Sequence, residues 1–85
     1  GVAFARGKMY AEAGRDKDAE AQFQRAIRMV PSFANARWFL ADIYTKQGKL
    51  SDAKNELEHI VRLDPANKLV LEQLEAVRLR LAASR

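Results

Sequence analysis

Apolar residues recur every three or four positions through most of the chain, which is the spacing that places them on one face of an α-helix. Five such stretches are separated by glycine, proline or short polar segments. Glycine ends a helix readily because it adopts the left-handed backbone conformation without strain, and proline stops one because it lacks an amide donor. An all-α chain is therefore predicted. Its helices would span about residues 2–13, 16–30, 33–47, 51–63 and 67–83.

The same pattern returns after 34 residues. The identical pairs in that register are Tyr10 with Tyr44, Gly14 with Gly48, Asp18 with Asp52, Ala19 with Ala53, Arg28 with Arg62 and Pro31 with Pro65. Such a repeat predicts two helix–turn–helix units, at about 1–33 and 34–67, followed by a final helix at 68–85. Stacked units of this kind bury their apolar faces against neighbours only, so we expect one domain, 1–85, that forms a right-handed α-solenoid.

Small residues in this register predict where two helices cross closely. Large side chains would fill the space between the crossings. The small residues at the crossings are Gly7, Ala41, Ala19 and Ala53.

Ser32, directly after a proline, is predicted to cap the third helix, because a serine hydroxyl can accept a hydrogen bond from a free amide of the first turn.

These residues resemble the tetratricopeptide repeat family, whose helix–turn–helix unit carries a small residue, a tyrosine, a glycine, an alanine, a large apolar residue and a proline in this order. Arg37 and Ala3 depart from the family pattern, since tryptophan is frequent at that position. In the last helix Glu75 and Arg78 replace a small residue and a tyrosine, which indicates a capping helix. The matching residues are Gly7, Tyr10, Gly14, Ala19, Phe23, Ala26 and Pro31, then Leu40, Ala41, Tyr44, Gly48, Ala53, Leu57 and Pro65.

The resemblance implies a non-catalytic protein-interaction scaffold that binds a peptide or helical segment of a partner protein in a concave groove. Aromatic side chains would form an apolar floor, and polar side chains would select the ligand. Alternatively, Phe4 and Trp38 pack between neighbouring helices. The predicted groove residues are Phe4, Lys8, Asn35, Trp38, Phe39, Asp42, Lys46, Glu72 and Gln73. The wider face would also include Ala5, Ala11, Glu12, Thr45, Leu69, Ala76, Leu79 and Arg80.

One specialised activity of the resembled family is not expected here. Some members clamp acidic carboxyl-terminal tails with lysine, asparagine and arginine at five fixed positions. Those positions hold Phe4, Lys8, Phe39, Leu69 and Gln73, of which only Lys8 is basic. The sequence therefore does not predict a carboxylate clamp.

A rival function is homo-oligomerisation. Leu69, Leu71 and Leu79 lie off the main apolar stripe of the last helix and widen its apolar surface. Such a helix can stack on the same helix of a second chain, giving a homodimer, or the exposed ends of the stack can drive assembly.

Composition narrows the chemistry further. The 85 residues include no cysteine and one histidine, His59, so neither a disulfide nor a thiolate metal site can form within the chain. Glu56 and His59 would form only half of a carboxylate-bridged metal site, and no second Glu-x-x-His follows. We predict no catalytic residue, no metal and no cofactor.

Charge raises the question of nucleic acid, because 15 Lys and Arg face 11 Asp and Glu, a net charge of +4. The basic residues are interleaved with acidic ones along every helix, whereas a phosphate-binding surface needs them gathered on one face. Nucleic acid is therefore not an expected partner.

Location is weakly constrained by the sequence. No apolar run approaches the roughly 20 residues of a membrane span, so a soluble chain is expected. Gly1 stands where an initiator methionine would, and we expect a segment of a longer protein. The compartment stays unknown, with the cytoplasm slightly favoured.

Overall fold

The computed structural model describes residues 1–84, which form five α-helices and no strand. They are α1 (Val2–Glu12), α2 (Asp16–Met29), α3 (Ala34–Lys46), α4 (Leu50–Leu63) and α5 (Lys68–Ala83). Each helix packs against the next one in the chain, so α1 with α2 and α3 with α4 form two hairpins and α5 covers α4. The all-α solenoid is confirmed, and every predicted helix end lies within one residue of the observed end.

Both hairpin turns depend on a glycine. Gly14 has a φ of 76° and Gly48 a φ of 77°, which is the left-handed region that other residues avoid. In the first turn the Arg15 amide donates to the Tyr10 carbonyl at 2.8 Å, and in the second the Lys49 amide donates to the Tyr44 carbonyl at 2.8 Å. The two turns are thus built alike, as the repeat predicts.

The cap predicted at Ser32 is wrong. Helix α3 begins at Ala34, and Phe33 occupies the cap position without a side-chain hydrogen bond. The Phe33 amide donates to the Val30 carbonyl at 3.0 Å, and this turn places Ser32 one residue too early, in an exposed position. Helix α5, by contrast, has a side-chain cap, because Asn67 Oδ1 accepts from the Val70 amide at 3.2 Å.

Two buried clusters form the core. Tyr44 is partly buried and packs against both of them, and its hydroxyl accepts a hydrogen bond from Gln24 Nε2 at 3.0 Å. Burial raises the pKa of the Tyr44 phenol above its ordinary 10.0. The first cluster is Ala19, Phe23, Ala26, Ala36, Leu40 and Ile43. The second is Ala41, Ala53, Leu57, Ile60, Val70, Leu74 and Val77.

The close helix crossings are confirmed. Ala19 and Ala53 are fully buried, and Ala41 is 2% exposed. Gly7 is buried too, and a Cβ atom at this position would lie 2.6 Å from Cε1 of Phe23. Helix α1 therefore approaches the Phe23 ring more closely than any larger residue allows.

Arg37, at a position where the resembled family often has tryptophan, forms an ion pair. Its Nη1 lies 2.8 Å from Oε1 of Glu56, with the two side chains only 12% and 19% exposed, and its Nε donates to the Pro31 carbonyl at 2.9 Å. The arginine thereby joins α3, α4 and the turn between the hairpins. The Glu56 carboxylate is engaged in this pair. Within residues 1–84 no group of three or more His, Asp or Glu side chains is placed to hold a metal ion.

None of the five helices is both long enough and apolar enough to span a bilayer, as judged over residues 1–84.

Candidate functional site

Helices α1, α3 and α5 carry all nine residues predicted for the groove. We call the space between α1 and α3 the first groove and the space between α3 and α5 the second groove. Positions 34 residues apart in sequence occupy equivalent places in the two grooves. Phe4, Phe23 and Phe39 in the first groove thus correspond to Trp38, Leu57 and Gln73 in the second. The two grooves differ in how their side chains pack.

The first groove is filled with aromatic rings. Phe39 stacks on Phe23, with ring centroids 5.4 Å apart and an interplanar angle of 15°. Phe4 meets Phe39 edge-on, with ring centroids 5.8 Å apart, and its ring lies tilted against that of Phe33 at 4.8 Å. The exposed Lys8 places its Nζ 5.7 Å from the Phe4 centroid. Phe4 and Phe39 therefore pack against the first core cluster, as the alternative interpretation of Phe4 requires.

The second groove contains a hollow of about 160 Å³ beside Trp38. The Trp38 indole is partly buried and meets the Phe39 ring edge-on at 5.5 Å and 87°. Leu57, from α4, lies at the floor and is 3% exposed. We call this space the Trp38 hollow. Its lining residues are Trp38, Ala41, Asp42, Thr45, Leu57, Gln73, Ala76, Val77 and Arg80.

The hollow brings three of the nine predicted groove residues together, namely Trp38, Asp42 and Gln73. Lys46 joins them indirectly, because its Nζ lies 3.2 Å from Oδ2 of Asp42. Asn35 and Glu72 are exposed and do not line the hollow. Trp38 itself packs against the second core cluster and also borders the hollow, so packing and groove exposure coexist at this residue.

Three floor residues were not predicted, namely Ala41, Leu57 and Val77. All three are core residues, at most 4% exposed, and nothing in their spacing separates them from other core positions. One signal in the sequence does point to the hollow. At two of the equivalent positions the second groove has a non-aromatic side chain, with Leu57 in place of Phe23 and Gln73 in place of Phe39.

A second hollow, of about 230 Å³, lies between the start of α1 and the end of α2. Of the predicted groove residues only Phe4 borders it, and its other walls are mainly apolar, including Val2, Met29 and Phe33. Val2 and Met29 are 68% and 72% exposed. This hollow therefore belongs to the end of the stack and not to the predicted groove.

The repeat, the two glycine turns and the close crossings agree with the result of a family comparison, in which a sequence profile described as tetratricopeptide repeat matches residues 10–76. This chain belongs to the tetratricopeptide repeat family. The match includes α3, α4 and most of the Trp38 hollow, up to Ala76. The family resemblance stated from the sequence is confirmed.

Two known tetratricopeptide repeat proteins illustrate the similarity. A chloroplastic tetratricopeptide repeat domain-containing protein of Arabidopsis thaliana, PYG7, is 33% identical over 60 residues, which are 71% of this chain and 20% of that protein. The solved structure of the first tetratricopeptide repeat domain of Spaghetti (RPAP3), bound to the HSP90 peptide SRMEEVD, superposes with a TM-score of 0.88. That match has 22% sequence identity and covers 95% of this chain and 64% of the other.

These numbers bound what the similarity shows. At 22% identity, the Spaghetti domain establishes the shared fold alone. The chain spans about a fifth of the length of the Arabidopsis relative, so the activity of that whole protein is not transferred.

Proposed function

We propose that this chain is a protein-interaction scaffold that binds a peptide segment of a partner protein in its second groove. The observation that carries the proposal is the Trp38 hollow, a half-open space whose floor is made of Ala41, Leu57 and Val77. A bound segment would insert one apolar side chain there, with Trp38 as its main contact. Aromatic and apolar anchors buried in such pockets supply most of the affinity in protein interfaces.

Two further observations support this function. Tetratricopeptide repeats generally act as non-catalytic interaction modules, and the structurally similar Spaghetti domain is bound to a peptide. The helices that form the groove are also held in place by the core, so binding would not require them to become ordered. The entropic cost of association would then fall mainly on the peptide.

A peptide selection tests the proposal without knowledge of the partner. Random peptides displayed on phage would be selected on the folded protein, and dissociation constants of the selected peptides would be measured by calorimetry. We expect Trp38→Ala to weaken binding by roughly tenfold or more, since loss of an anchor costs about 2 kcal/mol and a tenfold change corresponds to about 1.4 kcal/mol. Peptides that bind equally well to this variant would contradict the proposal.

A second variant separates binding from folding, because Trp38 also packs against the core. Gln73→Phe would place a ring where the first groove has Phe39, and we expect it to fill the hollow and block the peptide while the protein stays folded. Ala82→Phe is the matched control. It adds the same ring to α5 at an exposed position. Because Ala82 is nine residues after Gln73, it lies on the opposite side of the helix, and the variant should leave binding unchanged.

Self-association is the second candidate function. The observation that favours it is the exposure of Leu69, Leu71 and Leu79 on α5, which are 58%, 40% and 63% exposed. Burial of such side chains in a dimer would stabilise it. Light scattering across a range of concentrations tests this candidate, because a dimer would dissociate on dilution and a Leu69→Glu, Leu79→Glu variant would remain monomeric. A wild-type chain that is monomeric at every concentration would eliminate it.

A further inference from the structure

We infer that the Trp38 hollow selects a peptide in which a large apolar residue stands next to an acidic one, with Arg80 binding the carboxylate. This inference rests on the proposed function and adds the chemistry of the ligand. It follows from the size of the hollow, from the polar groups at its rim and from the partners that those groups already have.

The size and polarity of the hollow fit one apolar side chain. A volume of about 160 Å³ is close to the roughly 150 Å³ of an engineered apolar cavity that holds benzene. Ala41, Leu57 and Val77 at its floor have no polar side-chain atoms. The Thr45 hydroxyl donates to the Ala41 carbonyl at 2.8 Å, so the wall offers no free donor at this point. A leucine, methionine or phenylalanine side chain of a ligand would therefore be favoured there.

The charges at the rim favour an acidic neighbour. Asp42 and Arg80 are the charged residues that line the hollow. The Asp42 carboxylate is paired with Lys46 at 3.2 Å. The Arg80 side chain, by contrast, makes neither a hydrogen bond nor an ion pair with any group in residues 1–84. Arg80 is exposed and thus accessible to a ligand, and a guanidinium binds a carboxylate through two parallel hydrogen bonds, so a ligand carboxylate is the group that it would pair with.

Gln73 supplies the remaining recognition. Its side chain is half-buried at the rim, and its amide has no hydrogen-bond partner among the residues that the structure describes. A side-chain amide both donates and accepts, which matches a main-chain peptide group. Gln73 would therefore bind the ligand backbone between the apolar and the acidic residue. Arg80 is not one of the five positions that the carboxylate-clamp pattern uses, so this site differs from that clamp.

The experiment uses the peptides selected on the wild-type protein. We expect them to share a large apolar residue adjacent to Glu or Asp, and we expect replacement of that acid by its amide to weaken binding about tenfold. Arg80→Glu should reverse the preference, so that selection on this variant yields Lys or Arg beside the apolar residue. Because charged contacts at an open groove are screened by ions, the preference should decrease as salt is raised.

Arg62→Glu is the matched control, because Arg62 is exposed on α4 and carries the same charge change away from the groove. This variant should keep the acidic preference, which would exclude an effect of net charge alone. Peptides that require Trp38 but show no acidic preference, or that ignore Arg80→Glu, would overturn this inference and leave the proposed function standing. Peptides that do not depend on Trp38 or on an open hollow would overturn both.

Discussion

The two grooves occupy equivalent places in the repeat and differ in what fills them. In the first groove Phe39 stacks on Phe23, and the rings leave the groove packed. In the second groove Gln73 and Leu57 take those two places, and a hollow of about 160 Å³ opens beside Trp38. The hairpin turns of the two repeats nevertheless share the same glycine conformation and the same hydrogen bond.

Two positions of the repeat distinguish the packed groove from the groove with a hollow, namely those of Phe39 and Gln73 and of Phe23 and Leu57. An aromatic ring at the place of Phe39 extends the core outwards, because it stacks on a buried ring below it. An amide at the place of Gln73 adds no ring to the core, leaves a hollow beside Trp38 and places hydrogen-bonding groups at the rim. The second groove, with its apolar floor, is therefore the place where we propose that a ligand binds.

The largest expected effect comes from making the first groove resemble the second. Phe39→Gln removes the stack on Phe23 and the edge contacts with Phe4 and Trp38. We expect a loss of about 2–3 kcal/mol, somewhat less than for a fully buried phenylalanine, since Phe39 is partly exposed. Denaturant unfolding measures it. An unchanged midpoint would show that the aromatic stack does not stabilise the fold.

The next effect concerns the hairpins below the grooves. Glu56→Ala leaves the largely buried Arg37 guanidinium without its carboxylate, and we expect a loss of about 1–2 kcal/mol. In the first hairpin the equivalent residues are Ala3 and Gln22, which form no such pair. Gln22→Ala is therefore the control, with an expected change below about 0.5 kcal/mol. Equal losses from both variants, measured by thermal melting, would contradict the importance of the ion pair.

A smaller effect is expected at the helix crossings. Gly7→Ala places Cβ 2.6 Å from the Phe23 ring, and overpacking costs about 1–3 kcal/mol while alanine returns about 1 kcal/mol of helix propensity. A net loss of about 1 kcal/mol follows. Ala41→Gly, at the equivalent crossing, should also lose about 1 kcal/mol, in this case because glycine has a lower helix propensity than alanine. If Gly7→Ala raised the melting temperature, the Phe23 ring would have room to move.

The smallest effect is a pH dependence. Burial, followed by the nearby Arg37 and Arg62 cations, lowers the pKa of His59 below its ordinary 6.5. The unfolded chain therefore binds a proton more readily, and stability should fall as the pH drops through about 6.5 and below. His59→Gln should remove this slope from the stability profile between pH 7.5 and 5.5. A slope that persists in the variant would assign it to other groups.

Much of the fold was predictable because the repeat marks it twice. Gly14 and Gly48 share a backbone conformation that few residues adopt, and the periodic apolar positions fix the helices between them. The cap at Ser32 was wrong because a turn of the backbone, which side-chain spacing does not reveal, shifts the start of α3 by one residue. Helix ends depend on such local geometry.

The candidate site was predictable only in part. The resemblance to the repeat family implied that Trp38, Asp42 and Gln73 face a common groove, and these three do line the hollow. Spacing alone did not show that Phe39 packs, because its partner Phe23 comes from a different helix. The hollow results from a difference in side-chain volume between two equivalent places, which becomes visible only when the units are compared position by position.

Tyr44 has a consequence for how the molecule comes apart. Its ring lies against both core clusters, and its hydroxyl accepts from Gln24 on α2. Loosening either hairpin would therefore deprive the other of contacts, so the two repeats should open together in a single cooperative event. Amide protons of α2 and α4 would then exchange with solvent at similar rates, and neither repeat would persist alone once its neighbour has unravelled.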